Sequence, residues 1–149
     1  MSWRRKLQVA PFIVYALIWS QPSLPAGALA VGVPPDVAKQ GFAAGHAVNA
    51  ATMDEARKRA IDGCHKSVGA SAAAMKLCNV VATFSNQCMA VAMDPKDGTP
   101  GVGWAIAESQ KQADAEALTQ CRNTAGPSRR DFCTIDSRGI NRACDGNAK

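Results

Sequence analysis

The chain is poor in aromatic side chains: phenylalanine, tryptophan and tyrosine make up 5% of its 149 residues, with a single tyrosine, Tyr15. It has only two histidines, His46 and His65, and none of its cysteines form a Cys-x2-Cys pair. These shortages exclude chemistry. Structural zinc sites draw on closely spaced cysteine and histidine ligands, so no metal site is expected. A Cys-His nucleophile pair needs a free thiol facing an imidazole. Cys64 and His65 are helix neighbours that point in different directions. No phosphate loop, dinucleotide fingerprint or serine elbow occurs, so neither a cofactor nor a catalytic residue is assigned. Asp94-Pro95-Lys96-Asp97-Gly98 lacks the remaining ligands of a calcium loop and reads as turn chemistry. Asp54-Glu55 and Asp114-Glu116 fall in first helical turns, where negative charge suits the helix dipole.

Charge of one sign is also scarce. Lysine and arginine number 17 against 12 acidic residues, a formal +5. Arg4, Arg5 and Lys6 account for three of those charges and belong to a leader. What remains is mixed and mildly basic, without the excess that a nucleic-acid partner requires. The runs Arg57-Lys58-Arg59 and Arg129-Arg130 read as solvated faces, with a binding patch for an acidic partner as the alternative, and Arg57, Lys58 and Arg59 are kept as a candidate partner surface.

Long hydrophobic runs are limited to the N-terminus. Met1 to Lys6 is a positive segment, Leu7 to Trp19 is apolar apart from Gln8 and Pro11, and Ser20 to Ala30 is rich in proline and small residues. The order is that of a secretory signal peptide over 1–30, with cleavage after Ala28-Leu29-Ala30. The apolar run is shorter than the roughly 20 residues that span a bilayer, so no membrane span is expected after cleavage. Residues 31–42 read as a flexible segment and 43–149 as one domain. The expected location is periplasmic or secreted.

What is abundant is cysteine. Cys64, Cys78, Cys88, Cys121, Cys133 and Cys144 all follow the leader, an even set in a chain bound for an oxidising compartment. Large apolar residues are few and alanine supplies much of the rest, so the core buries little area per residue and needs cross-links. In the chain-entropy model a bridge closing about 15 residues contributes about 3 kcal/mol.

The chain also repeats itself. A shift of 57 residues superposes Thr52 on Ser109, Glu55 on Gln112, Ala56 on Ala113, Ala60 on Ala117, Cys64 on Cys121 and Gly69 on Gly126. Thr52-x-x-Glu55 and Ser109-x-x-Gln112 are capping boxes. The alanine and cysteine spacing gives each helix a narrow apolar stripe, and the glycines mark the stops. Helices are predicted near 53–66 and 110–123. Strands are predicted at Leu77 to Phe84 and Cys88 to Met93, with counterparts at Phe132 to Ile135 and near Arg142 to Cys144 around Ser137-Arg138-Gly139. Further short runs, His46 to Ala50 and Gly103 to Ala107, precede the helices. The expected fold is α+β: two pseudo-symmetric β-α-β-β repeats, about 43–93 and 102–145, with both helices on one face of an antiparallel sheet.

Six cysteines allow 15 pairings. The favoured set is Cys64–Cys78 and Cys121–Cys133, each tying a helix end to the next strand, with Cys88–Cys144 joining equivalent positions across the two copies. Cross-copy pairing of the first four is the main rival.

Gly103-Trp104-Ala105-Ile106-Ala107, Ala113-x3-Ala117-Leu118-x2-Cys121, Gly126 and Cys133 resemble the DUF4189 family of secreted bacterial proteins. So do Ala56-x3-Ala60-x3-Cys64 and Asn86-Gln87-Cys88-Met89-Ala90-Val91-Ala92. The resemblance spans about 43–145, with His46-Ala47-Val48 standing where the second copy has Trp104-Ala105-Ile106. It implies export and the disulfide-braced fold and carries no catalytic residues. The function expected is that of a non-enzymatic binding module acting on another protein or a cell-envelope component. Trp104, the one tryptophan beyond the leader, is either a packing residue or the anchor of that surface. Alternatives are an inhibitor or immunity-type protein, a structural envelope protein, or an exported hydrolase built around Asp94, Asp97 or His46.

Overall fold

The computed structural model describes residues 24–135 and 141–149. The basic and apolar parts of the leader, and the expected turn Ser137-Arg138-Gly139, lie outside the described residues. In chain order the elements are β1 (Ala26–Gly32), α1 (Val37–Gln40), β2 (Ala43–Ala50), α2 (Met53–Cys64), α3 (Ala72–Lys76), β3 (Asn79–Phe84), β4 (Cys88–Met93), β5 (Val102–Ala107), α4 (Gln110–Ala125), β6 (Thr134–Ile135) and β7 (Arg142–Cys144). A single 3-10 turn, Arg130–Phe132, precedes β6.

The strands form two antiparallel sheets rather than the one expected. The first runs β2-β1-β3; in the second, β4 pairs with β5 on one side and with both β6 and β7 on the other. Strand alternation then builds three cores. Ala26, Ala28 and Ala30 of β1 face α2, packing with Ala56, Ala60 and Cys64. Cys88, Ala90 and Ala92 of β4 face α4, packing with Ala113, Ala117 and Cys121. The opposite faces, carrying Leu29, Val31, Phe84, Met89 and Val91, pack against each other. The result is four layers, helix–sheet–sheet–helix, with the helices outside. The expectation that both helices share one sheet face is therefore corrected, while the α+β class and its disulfides stand.

The order of elements within each half is corrected as well. Each unit reads β-β-α-β: β1-β2-α2-β3, then β4-β5-α4 and β6 with β7. Register makes the correspondence residue by residue. Leu29 pairs with His46 as Val91 pairs with Trp104, and Ala30 pairs with Val80 as Ala92 pairs with Ile135. β4 thus opens the second unit instead of closing the first.

β1 overturns the expected boundaries. All seven of its residues are buried, between two neighbouring strands and two cores. Cleavage after Ala30 would remove most of the middle strand of the first sheet. The segment 31–42 is likewise ordered: it holds the end of β1 and the short α1, capped by the Asp36 carboxylate accepting from the Lys39 amide at 3.1 Å. The fold starts at Ala26, not at residue 43.

Helix starts follow the capping pattern. Thr52 Oγ1 accepts from the Glu55 amide at 3.2 Å, and Ser109 Oγ accepts from the Gln112 amide at 3.3 Å. The return arm differs in the two boxes: the Glu55 carboxylate accepts from Ala51, whereas Gln112 turns to Glu116. Gly126, in the left-handed region at φ 77°, ends α4 as expected. α2 stops at Cys64, and Gly69 turns the chain later, on the way to α3.

The two long helices, α2 and α4, each lie on a glycine. A Cβ at Gly45 would sit 2.0 Å from the Cys64 amide nitrogen and 2.4 Å from the Ala60 carbonyl. At Gly103 the same atom would meet the Cys121 nitrogen at 2.4 Å and the Ala117 carbonyl at 2.5 Å. The first unit has one more residue between these glycines and cysteines, and Asn49 absorbs it. It stands at φ 54° where the β1–β2 register shifts, as a bulge.

The bridges are Cys64–Cys78, Cys121–Cys133 and Cys88–Cys144, with no cysteine left free. The first two tie each helix to the strand that follows. Cys88–Cys144, expected to join the two copies, instead closes the second unit from its first strand to its last. Three bridges in so short a chain mark an oxidising, extracytoplasmic environment.

Two outcomes follow. Gly45→Ala and Gly103→Ala should each lose about 1–3 kcal/mol or more by overpacking, read from denaturant midpoints of the oxidised protein. A chain beginning at Val31 should fail to give a cooperative unfolding transition, whereas one beginning at Leu24 gives it.

Candidate functional site

A groove of about 580 Å³ runs between the two units. One wall is the β1–α1 connection, Val33-Pro34-Pro35-Asp36-Val37; the other is Pro100, Val102 and Trp104 with Gln120, Asn123 and Thr124 of α4. Proline shapes both walls. With its fixed φ, Pro34-Pro35 stiffens the connection and cannot extend β1. The polar rim of α4 is partly engaged: Thr124 Oγ1 accepts from the Val102 amide at 2.9 Å and donates to its carbonyl at 2.7 Å. Gln120 Oε1 accepts from the Trp104 amide at 3.3 Å. Asn123 is exposed on the same rim.

Trp104 is a packing residue at the junction of the two units. It is half-buried, stacks on Phe42 of the first unit with ring centroids 6.1 Å apart and planes at 15°, and lines the groove. Such a pair is worth about 0.5–1.5 kcal/mol beyond its area. The other residues named for a partner surface are not with it. Arg57, Lys58 and Arg59 are exposed on the outer side of α2, where Arg57 pairs with Asp54 at 3.1 Å and Arg59 with Glu55 at 3.7 Å. Those i,i+3 and i,i+4 pairs account for a solvated helix face.

The residues considered for hydrolysis also lie apart. His46 is on β2 of the first unit; Asp94 and Asp97 are in the β4–β5 connection of the second. Burial pushes the His46 pKa down, and the positive charge of Arg59 adds to this. The Asp94 carboxylate is fully engaged: Arg129 donates to it through Nε at 2.7 Å and a terminal nitrogen at 2.6 Å, and the Lys96 amide donates at 3.1 Å. The Arg129 hydrogen bonds hold its pKa down at about 2, and the Arg129 pKa rises in return. Arg129 also lies 4.0 Å above the Phe132 ring. This bidentate pair anchors the segment after α4 to the end of β4. His65 is exposed beside the bridged Cys64, so the two form no nucleophile pair.

One constellation corresponds to no motif in the sequence. Asp145, 0% exposed, accepts from the Asn49 amide at 2.7 Å and the Asn86 amide at 3.3 Å. Both asparagines have left-handed backbones, at φ 54° and 52°: Asn49 at the bulge of β2 and Asn86 in the turn between β3 and β4. Their side chains answer in kind: Asn49 Oδ1 accepts from Gly146 at 2.9 Å and Asn86 Oδ1 from Asn147 at 3.4 Å. The C-terminal strap of the second unit is thus latched onto the first. The one signal in the sequence is Asn86, in the turn between two strand runs and of a residue type that tolerates this conformation.

Because the Asp94 pKa is depressed in the fold, its contribution is present above the unfolded value of about 3.8 and is lost as pH falls toward about 2. Asp94→Asn should cost about 1.5–3 kcal/mol at neutral pH, the loss of charged hydrogen bonds. It should also flatten the acid limb of a stability-versus-pH curve between those values.

No curated protein and no solved structure matches the chain. A family model does, over residues 26–137, and its first residue is the first residue of β1. The chain therefore belongs to the family described as domain of unknown function DUF4189.

Proposed function

We infer that the protein is an exported, disulfide-braced binding module that acts on another protein or a cell-envelope component through the groove at Trp104. The observation that carries this reading is the groove's construction. Its volume falls in the range of about 300–1,000 Å³ usual for binding clefts, and its walls are mostly apolar with a few polar groups, Asp36 on one side and three residues of α4 on the other. Its two walls come from different units, and the Phe42–Trp104 stack fixes their relation. Prolines and an aromatic residue offer rigid contact area at small entropic cost.

The three bridges support export, and so does the order of basic, apolar and small-residue segments before β1. Processing that leaves the fold whole has to fall upstream of Ala26. Intact-mass measurement of the exported form should give an N-terminus at or before Ala26; a product starting at Val31 contradicts this.

The binding reading is tested by retention of envelope components on the purified protein. Asn123→Arg places a bulky charge in the groove from an exposed helix position, and retention should fall at least tenfold with the fold intact. A double substitution of Arg57 and Lys58 to alanine should leave it unchanged. The reverse result would move the partner surface to α2. Turnover of a cell-wall substrate that survives Asn123→Arg would favour the hydrolase alternative instead.

A further inference from the structure

The first unit shows what the second would be without its third bridge. Cys88 occupies the place of Ala26, and Cys144 that of Ser85. In the first unit the corresponding side-chain link is a hydrogen bond and not a disulfide, from Ser85 Oγ to the Pro25 carbonyl at 2.8 Å. A sheet of this plan therefore closes without a disulfide there. The two remaining bridges differ in kind, because each pins the buried end of a core helix.

What Cys88–Cys144 does hold is the strap. β7 has three residues, Cys88 and Cys144 stand directly opposite on β4 and β7, and the next residue is Asp145. Asp145 is buried against the Asn49 and Asn86 amides of the first unit, and the Asp145 amide donates to the Gln87 carbonyl at 2.9 Å. The strap ends where the Gln110 amide donates to the Lys149 carbonyl at 3.0 Å, at the start of α4. The groove walls are contributed by both units.

We propose that Cys88–Cys144 is a redox-sensitive clasp: oxidised, it locks the strap across the two units, and reduced, it releases Asp145 while the helix bridges keep each unit folded. The reductant is a dithiol, either a small molecule or the Cys pair of a thiol–disulfide oxidoreductase. Cys88 is fully buried and Cys144 half-buried, so the attacking thiolate bonds to Cys144 Sγ and expels the Cys88 thiolate, which takes up a proton. The second thiol of the reductant then closes its own disulfide and expels Cys144, which is protonated in turn. Two electrons pass to the protein, and the reductant leaves oxidised.

The test titrates the oxidised full chain with dithiothreitol, maps open bridges by differential alkylation and mass spectrometry, and follows amide exchange at Asn49 and Asn86. A species with only Cys88–Cys144 open should accumulate, with those amides exchanging at least tenfold faster and the α2 and α4 cores still protected. Cys88→Ser combined with Cys144→Ser should reproduce that pattern, and Asp145→Asn should speed the same amides without freeing a thiol. Simultaneous opening of all bridges, an unfolded one-bridge-open species, a double-serine variant that does not fold, or unchanged exchange at Asn49 and Asn86 would each overturn the proposal.

Discussion

The close approach of helix backbone to strand backbone is the constraint on which the architecture rests. Gly45 and Gly103 leave no room for a Cβ beneath the helix ends at Cys64 and Cys121. Around them the facing positions are alanine: 26, 28, 30, 56 and 60 in one unit, 90, 92, 113 and 117 in the other. Small side chains bring the layers together but bury little area each. Two features offset that deficit. The helix bridges cross-link the ends of both stripes, and the few larger residues, Leu29, Val31, Phe84, Met89 and Val91, are gathered between the sheets. Large residues therefore join the units, and small ones build them.

This division of labour shapes the candidate site. Because the units meet sheet to sheet, their edge strands β2 and β5 are brought into one neighbourhood, and Phe42 stacks on Trp104 there. The β1–α1 connection of one unit then faces α4 of the other across the groove. The strap at Asp145 latches onto the β2 bulge and the β3–β4 turn, which flank the opposite end of β1, near Pro25 and Ala26. Groove and latch are both consequences of one packing arrangement between units.

Much of this is legible in the sequence, for identifiable reasons. The helices announce themselves through caps at Thr52 and Ser109 and through stripes of period 3.6. β3, β4 and β5 carry β-prone residues between turn signals, and the favoured cysteine pairing is the one present. β1 escapes because Ala-Gly-Ala-Leu-Ala-Val-Gly is buried on both faces, so it shows no polar alternation and has the same small-residue composition as a peptidase site. The repeat does carry a trace of it, since Ala26-x-Ala28-x-Ala30 parallels Cys88-x-Ala90-x-Ala92. Without β1, β4 falls to the wrong unit, and one sheet is expected where there are two. The Asp145 latch is beyond reach, since a lone carboxylate near a chain end carries no pattern. Its partners, Asn49 in a strand bulge and Asn86 in a turn, are distant in sequence, and only the fold brings them to it.

The arrangement of layers is the central claim, and a single distance tests it. Spin labels attached by non-cysteine chemistry at Lys58 on α2 and Ala115 on α4, both exposed, report the separation of the two helices. With two sheets between them, at spacings of about 10 Å per layer, the labels should lie on the order of 30 Å apart or more. Helices packed side by side on one sheet face have axes about 8–10 Å apart, and a label distance below roughly 20 Å would contradict the account.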